Sequence, residues 1–365
     1  MQYNLLLNFG EIISYIGYIL LAVFVLLIMI TVHEFGHFIS GKLLGFRIEE
    51  FSVGFGPKLF SKEKKNGEKF SLRAIPLGGF CAFYGEDEEN PDEDAFNKKA
   101  PWRRIIVLIS GALMNYILAI LVIILMFTCY GHTAVMAYDT KDNSALNNRD
   151  VILSVENKNV YLITDLMVVL DGKTQGEEVT FKVYREGEVI DVKVPINCDG
   201  KFDNLEDLET LAKSIGLNVT EKDGQIDYGF RTTRVRSGFF EATGRSFEYS
   251  FKLAGTVFTV LRQLINGSLG LNSVGGTVTT IAMTADAVKI GGLWSLLNIV
   301  ALIGVNLAVF NLLPFPALDG SRVIFALIEW IFKKPINRKV ETTIHTIGLI
   351  LILLFAIVVD LQRCF

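Results

Sequence analysis

Thr31-Val32-His33-Glu34-Phe35-Gly36-His37-Phe38-Ile39-Ser40-Gly41 closes a long apolar segment, and its reading governs the rest of the chain. On a helix, residues four apart lie about 40° apart around the axis and about 6 Å along it, so His33 and His37 offer both imidazoles to one ion. Glu34 then stands beside that ion. This is the H-E-x-x-H pattern, in which two histidines ligate zinc and the glutamate serves as general base toward water. A satisfied pair of core histidines is the bland alternative, but ionisable side chains inside an apolar run are costly and mark function. Counting about 1.5 Å per residue from Tyr15 puts His33 roughly 27 Å along the helix, near the far edge of a hydrocarbon layer about 30 Å thick.

With 365 residues, 51% of them hydrophobic, and a mean hydropathy of +0.41, the chain is too apolar for an ordinary soluble enzyme. It has room for several spans plus one extramembrane domain. A net charge of −4 without a basic stripe gives no footing for nucleic acid. Cys81, Cys129, Cys198 and Cys364 form no C-x-x-C pair and read as structural or incidental. Because the earliest basic residue is Lys42, the first apolar segment lacks the charged start of a signal peptide and is expected to stay in the protein.

Apolar runs predict four transmembrane helices at 12–39, 105–130, 293–313 and 344–361. Lysines and arginines crowd the loop from Lys42 to Arg104 and recur at Lys333, Lys334, Arg338 and Lys339, which assigns both loops to the cytosol. Both chain ends, and the long segment 131–292, are then expected outside. Spans one and three run in the same direction, so their C-terminal ends arrive at one depth. At the end of span three stands Asn311-Leu312-Leu313-Pro314-Phe315-Pro316-Ala317-Leu318-Asp319-Gly320, where two prolines break the helix. Hydrolytic zinc usually takes three protein ligands, and Asp319 is the candidate at the right depth. Its alternative reading is an N-cap for a helix beginning near Ser321.

H-E-F-G-H in the first span, N-x-x-P-x-P-x-L-D-G in the third, and a large segment between spans two and three resemble the site-2 protease family of intramembrane zinc metalloproteases. The nearest likeness is to the bacterial regulator-of-sigma-E protease group. Two further stretches, Phe51-Ser52-Val53-Gly54-Phe55-Gly56-Pro57 and Ile75-Pro76-Leu77-Gly78-Gly79-Phe80, resemble the family's membrane-dipping β loop, and Gly111-Ala112-Leu113-Met114-Asn115 resembles its G-x-x-x-N. Val274-Gly275-Gly276-Thr277 departs from the family's usual Gly-Pro, and one extracytoplasmic domain fits where several relatives have two. The resemblance implies that Asn311 and Asn115 bind the substrate backbone or stabilise the reaction intermediate, with Gly78 and Gly79 in the substrate-binding loop. It implies a bacterial cytoplasmic-membrane location, with membrane-anchored anti-sigma factors already trimmed outside, or remnant signal peptides, as substrates.

Between 46 and 83, alternating stretches such as Lys69-Phe70-Ser71-Leu72-Arg73 bounded by Gly and Pro favour a β-hairpin. An unpaired strand edge at membrane depth could receive an unwound substrate by strand addition. The acidic run Glu86 to Glu89 reads as a solvated turn, and His132 and His345 as structural. Short strands at 150–155, 179–184 and 189–194, with a helix at 162–171, resemble a PDZ domain, a module that captures peptide ends. Residues 199–224 look like an insertion in it. Phe240, Phe247, Phe251, Ala254, Phe258, Leu261 and Ile265 recur at helical spacing and suggest an amphipathic helix lying at the outer membrane face or on the PDZ-like domain.

The expected architecture is thus a polytopic α-helical membrane protein with four transmembrane helices, a membrane-associated β-hairpin loop and one extracytoplasmic PDZ-like α+β domain. Its parts are 1–131 (spans one and two with the β loop), 132–236 (the PDZ-like domain), 237–292 (an amphipathic connector) and 293–365 (spans three and four). The expected activity is zinc-dependent cleavage of single-span transmembrane substrates in the lipid bilayer, at a site near the cytosolic edge. The rivals are a non-catalytic receptor or scaffold using the PDZ-like domain, and a metal transporter.

Overall fold

A computed structural model describes residues 9–86, 92–197, 199, 201–202, 207–222, 225–267, 269–270, 275–334 and 336–364. Residues 87–89 of the acidic run, Val274 and Cys198 lie outside the described residues. In chain order the elements are α1 (Phe9–Leu43), β1 (Ile48–Glu63), β2 (Lys69–Phe83), α2 (Pro101–Tyr130), β3 (His132–Ala137), β4 (Val151–Val155), β5 (Lys158–Asn159), α3 (Ile163–Leu170), β6 (Glu178–Arg185), β7 (Glu188–Pro195), α4 (Leu208–Ser214), β8 (Thr220–Lys222), β9 (Gln225–Asp227), β10 (Phe230–Val235), α5 (Phe239–Ile265), α6 (Thr277–Leu312), α7 (Asp319–Phe332) and α8 (Arg338–Cys364). They divide into two units, one of 1–123 with 246–365 and the other of 124–245.

In the first unit, α1, α2, α6 and α8 are each long and apolar enough to cross a membrane, so the chain is a polytopic membrane protein. Apolar side chains on all sides of a helix suit lipid, which is why Leu20, Phe24, Leu121, Leu125 and Leu351 stay on the outside. The third span begins earlier than hydropathy suggests. Helix continues back to Thr277, and the two parts meet at Gly292, whose φ of 58° and ψ of −143° bend the axis. A side chain would resist that backbone, which suits a glycine.

Between α1 and α2 the β loop is more folded than a simple hairpin. Residues 48–53 pair with 79–83 on one side and with 69–72 on the other, and 69–72 pair again with 60–63. The stretch 79–83 is therefore an edge. Its sheet is fixed to the last turns of α1 by aromatic contacts, with Phe38 packed 5.4 Å from Phe51 and 5.6 Å from Phe70 between ring centroids. A second aromatic group, Phe46, Phe83 and Phe96, closes the same corner. These contacts hold the sheet edge beside the histidine-bearing end of the helix.

The second unit is an antiparallel sheet in the order β10-β3-β4-β6-β7, with β5 paired to β4 and β8 paired to β9. Ile152, Val155, Leu166, Leu170, Val179 and Phe181 are fully buried beneath it, each contributing on the order of 1.5–3 kcal/mol relative to exposure. Asp150, itself buried, accepts two bonds from the Arg185 guanidinium at 2.7 and 2.5 Å. Within 199–224, the stretch read as an insertion, α4 and the residues after it put Leu211, Ala212, Ile215 and Leu217 into this core. Along α5 the apolar stripe read from the sequence is not the buried face. Ala242, Tyr249, Leu253 and Val257 are the buried face, while Phe240, Phe247, Phe251, Phe258 and Ile265 are exposed.

Candidate metal and active site

Helix α1 places His33, Glu34 and His37 on consecutive turns, and α7 brings Asp319 to them. The Nε2 atoms of His33 and His37 lie 3.2 Å apart. Oδ2 of Asp319 is 3.1 Å from the first and 3.4 Å from the second. A tetrahedral ion with bonds of about 2.0–2.1 Å separates neighbouring ligand atoms by about 3.3 Å, so this triangle has the edge length that zinc requires. Oδ2 of Asp319 is also buried and makes no hydrogen bond among the described residues. Three acceptor atoms turned toward one point repel unless a cation lies between them, and the residues present fit zinc. Asp319 is the first residue of α7, whose N-cap is Leu318, so its carboxylate is not consumed as a cap.

The surroundings fix the donors. A carbonyl can only accept, so His37 donates its Nδ1–H to the Val107 carbonyl at 2.8 Å, which leaves the Nε2 lone pair facing Asp319. Nδ1 of His33 has the Asn115 and Asn311 amides each at 3.5 Å. Asn115 is fully buried, and its Oδ1 has no partner among the described residues. A half-turn of that amide presents the oxygen to the imidazole N–H that a metal-facing Nε2 demands. Where α1 crosses α2, Ser40 and Ser110 share a hydrogen bond of 2.7 Å between hydroxyls. There Gly36 lies so close to Ser110 that a Cβ on it would sit 2.3 Å from the Ser110 carbonyl oxygen.

Glu34 sits between the histidines and the sheet edge, its carboxylate hydrogen-bonded by the Cys81 backbone N–H. Gly79 is its neighbour on that edge: a Cβ there would lie 3.5 Å from Glu34 Cγ and 2.9 Å from the Ser52 carbonyl oxygen. Gly78, with a φ of 143°, lies under the Phe55 ring and does not face the histidines directly. Burial, followed by the Glu34 charge, pushes the Cys81 thiol far above its ordinary range, so it remains a protonated, unreactive group.

Cavities open on both sides of the cluster. One of about 310 Å³ is lined by Ile30, His33, Glu34, Asn115, Asn311 and Asp319. Another, of about 540 Å³, runs between the histidines and the edge residues Phe80 to Phe83 and reaches Glu86 and Arg322. Glu86 is ion-paired with Arg322, which replaces the solvated turn expected for it. A third cavity of about 390 Å³ continues from that pair to Arg104, Glu329, Arg338 and His345. Sequence reading gave Gly111 no role, yet a Cβ on it would lie 2.4 Å from His37 Nε2 and 2.8 Å from His33 Cε1. The G-x-x-x-N spacing to Asn115 was the signal available for it. His345, read as merely structural, accepts a hydrogen bond from the Ala317 N–H at 3.1 Å.

Residues 21–355 match the family described as Peptidase family M50. Three bacterial proteins, each bearing the name "Putative zinc metalloprotease", are similar over nearly their whole length. One from Clostridium perfringens is 33% identical across 94% of this chain and 98% of its own. One from Fusobacterium nucleatum is 30% identical across 94% and 97%, and one from Brucella suis 27% identical across 97% of each. By this match across nearly its whole length, the chain belongs to peptidase family M50, the zinc-dependent site-2 proteases.

Proposed function

We propose that the protein is an intramembrane zinc endopeptidase that hydrolyses peptide bonds within the transmembrane segments of single-span membrane proteins. The observation that carries this reading is the 3.1–3.4 Å triangle of His33, His37 and Asp319 beside Glu34, built on helices of membrane-spanning length. In this reading His33, His37 and Asp319 hold the metal. Zinc bound there supplies Lewis-acid polarisation of the scissile carbonyl and acidifies water. Glu34 accepts the proton of the attacking water and passes it to the leaving amine, while the Cys81 N–H keeps its carboxylate in place.

Amides of Asn311 and Asn115 line the cavity next to Glu34, where they are suited to hold the substrate backbone and the charge that develops on its carbonyl oxygen. A helical substrate keeps its peptide groups bonded internally and must unwind before attack. The edge 79–83, with Gly79 against Glu34, offers such an extended segment the backbone partners it loses, with Gly78 in the turn that leads to it. Charged linings of the cavities toward Arg322 and Arg104 support a water path from the cytosolic side.

Sidedness follows from the basic loops: both termini outside, the metal near the cytosolic edge, and the whole in a bacterial cytoplasmic membrane. The unit built on 132–236 is then an extracytoplasmic PDZ-like domain that captures peptide ends or excludes bulky ectodomains. The exposed phenylalanines of α5 fit the outer interface. Trimmed anti-sigma factors and remnant signal peptides are substrates of the required form. The deciding experiment is Glu34→Gln on purified full-length protein with a reporter span. Cleavage should fall by roughly 10²–10⁴-fold with zinc content unchanged; undiminished cleavage would remove Glu34 as the base, and a wild-type protein that leaves the reporter intact would point to a scaffold or a transporter.

A further inference from the structure

Ala317 has a φ of 78°, a left-handed backbone that a residue bearing a Cβ adopts only where its surroundings impose it. It stands two residues before Asp319, in the turn that carries the carboxylate to the histidines. Helix α8 holds this turn at two points. Nδ1 of His345 accepts the Ala317 N–H at 3.1 Å. Three residues on, and so on the same helix face, Gly348 lies against Pro316, where a Cβ would meet the Pro316 Cβ at 2.3 Å and its carbonyl carbon at 2.7 Å.

The far end of α8 is tied as well. Asp360 accepts hydrogen bonds from the Val278 and Thr279 N–H groups, both at 3.1 Å, and from the Thr279 hydroxyl at 2.7 Å. That carboxylate closes the first turn of α6 and fixes the height of α8 along it. On the opposite side of the turn, Gly320 packs on the end of α6, with room for no Cβ against the Leu312 and Leu313 carbonyls. The segment 316–320 is thus clamped between the helix before it and the last span. A carboxylate that must meet two imidazoles within a few tenths of an ångström depends on that clamp.

We propose that His345 is a positioning residue for the metal site, holding Ala317 in its left-handed conformation so that Asp319 reaches His33 and His37. This inference rests on the reading of Asp319 as the third metal ligand. The test uses full-length protein in detergent as wild type, Asp319→Ala, His345→Leu, His345→Gln and His345→Asn. Leucine removes the acceptor, glutamine moves it one bond farther out, and asparagine places an amide oxygen where Nδ1 now accepts. Zinc affinity is read by chelator competition, the cobalt-substituted visible spectrum reports ligand geometry, and thermal unfolding of the metal-free proteins reports the fold.

His345→Leu and His345→Gln should bind zinc roughly 10–100-fold more weakly and shift the cobalt spectrum, with His345→Asn within a few-fold of wild type. If the leucine variant does not fold, the glutamine and asparagine pair decides. Wild-type affinity in His345→Gln, or asparagine and glutamine variants weakened alike, overturns the proposal. Wild-type affinity in Asp319→Ala refutes instead the ligand assignment beneath it, so the two failures are distinguishable.

Discussion

The His37 imidazole occupies the space that Gly111 leaves empty: a Cβ on that glycine would lie 2.4 Å from Nε2 and 2.7 Å from Cε1. The ring has no free retreat, since Nδ1 is bonded to the Val107 carbonyl at 2.8 Å. Gly111→Ala must therefore displace an imidazole or separate α1 from α2. Zinc affinity should drop roughly 10–100-fold, as when an outer-shell partner is lost, while helical content measured by circular dichroism stays constant. Chelator competition checks this, and an alanine variant that binds zinc normally would show that the rings have slack.

Gly79 gives the complementary case, since it touches the proposed base and no proposed ligand. Its Cβ would press on the Ser52 carbonyl oxygen at 2.9 Å and approach Glu34 Cγ at 3.5 Å. Gly79→Ala should push the sheet edge away from α1 by a fraction of an ångström. Reporter cleavage should fall on the order of 10–100-fold, because misplacement by about 1 Å costs about 10²-fold in rate. Zinc content should be unchanged. Loss of zinc in this variant would mean that the β loop supports the metal cluster rather than the base.

Much of the spanning architecture was legible because long apolar runs have few alternative fates, and the pairing of His33 with His37 follows from helical spacing alone. Asp319 could be singled out by depth, since the distribution of basic residues predicts that spans one and three run in the same direction. Other parts left no such trace. The helix over 277–291 is rich in Thr and Ala and carries Asp286 and Lys289, which hides its continuity across the Gly292 bend with the third span. Gly111 has no side chain to betray a function, and His345 lies 28 residues from the Ala317 it binds, with no motif to connect them. The pairing of four segments in the β loop is accompanied by bends at Gly54 and Gly56, both at positive φ, where alternation alone predicts a straight hairpin. On α5, hydrophobicity marked two faces, and the larger side chains were not the buried ones.

Arg104 is nearly inaccessible, and its guanidinium meets Glu329 at 2.6 Å, with Arg338 a further 3.7 Å partner of the same carboxylate. Removing one member of such a pair leaves a charge without adequate compensation, whereas replacing both by apolar groups does not. Arg104→Met should destabilise the folded protein by roughly 3 kcal/mol, and Arg104→Met with Glu329→Leu should recover most of that. Thermal unfolding in detergent provides the measurement. Equal losses in the single and double variants would show that the guanidinium matters through packing and not through its charge.

His132 supplies a pH dependence of definite sign. Its ring is 1% exposed, lies against Tyr161 at 5.9 Å between centroids, and has no hydrogen bond at either nitrogen among the described residues. Burial first and the Arg245 guanidinium second, opposed by Glu241, lower its pKa to about 4. In the unfolded chain an imidazole titrates near 6.5. Between those values the unfolded chain takes up a proton that the folded one refuses, so this contribution is complete above pH 6.5 and is lost progressively as pH falls toward 4. The loss approaches about 3 kcal/mol at most. His132→Phe retains the aromatic contacts without the titration. Carboxylates elsewhere destabilise both proteins equally on acidification, so the difference between them isolates the imidazole. Unfolding midpoints at pH 7.5 and 4.5 should converge for the phenylalanine variant relative to wild type, and parallel losses in the two proteins would mean that His132 is protonated or solvated in the folded state.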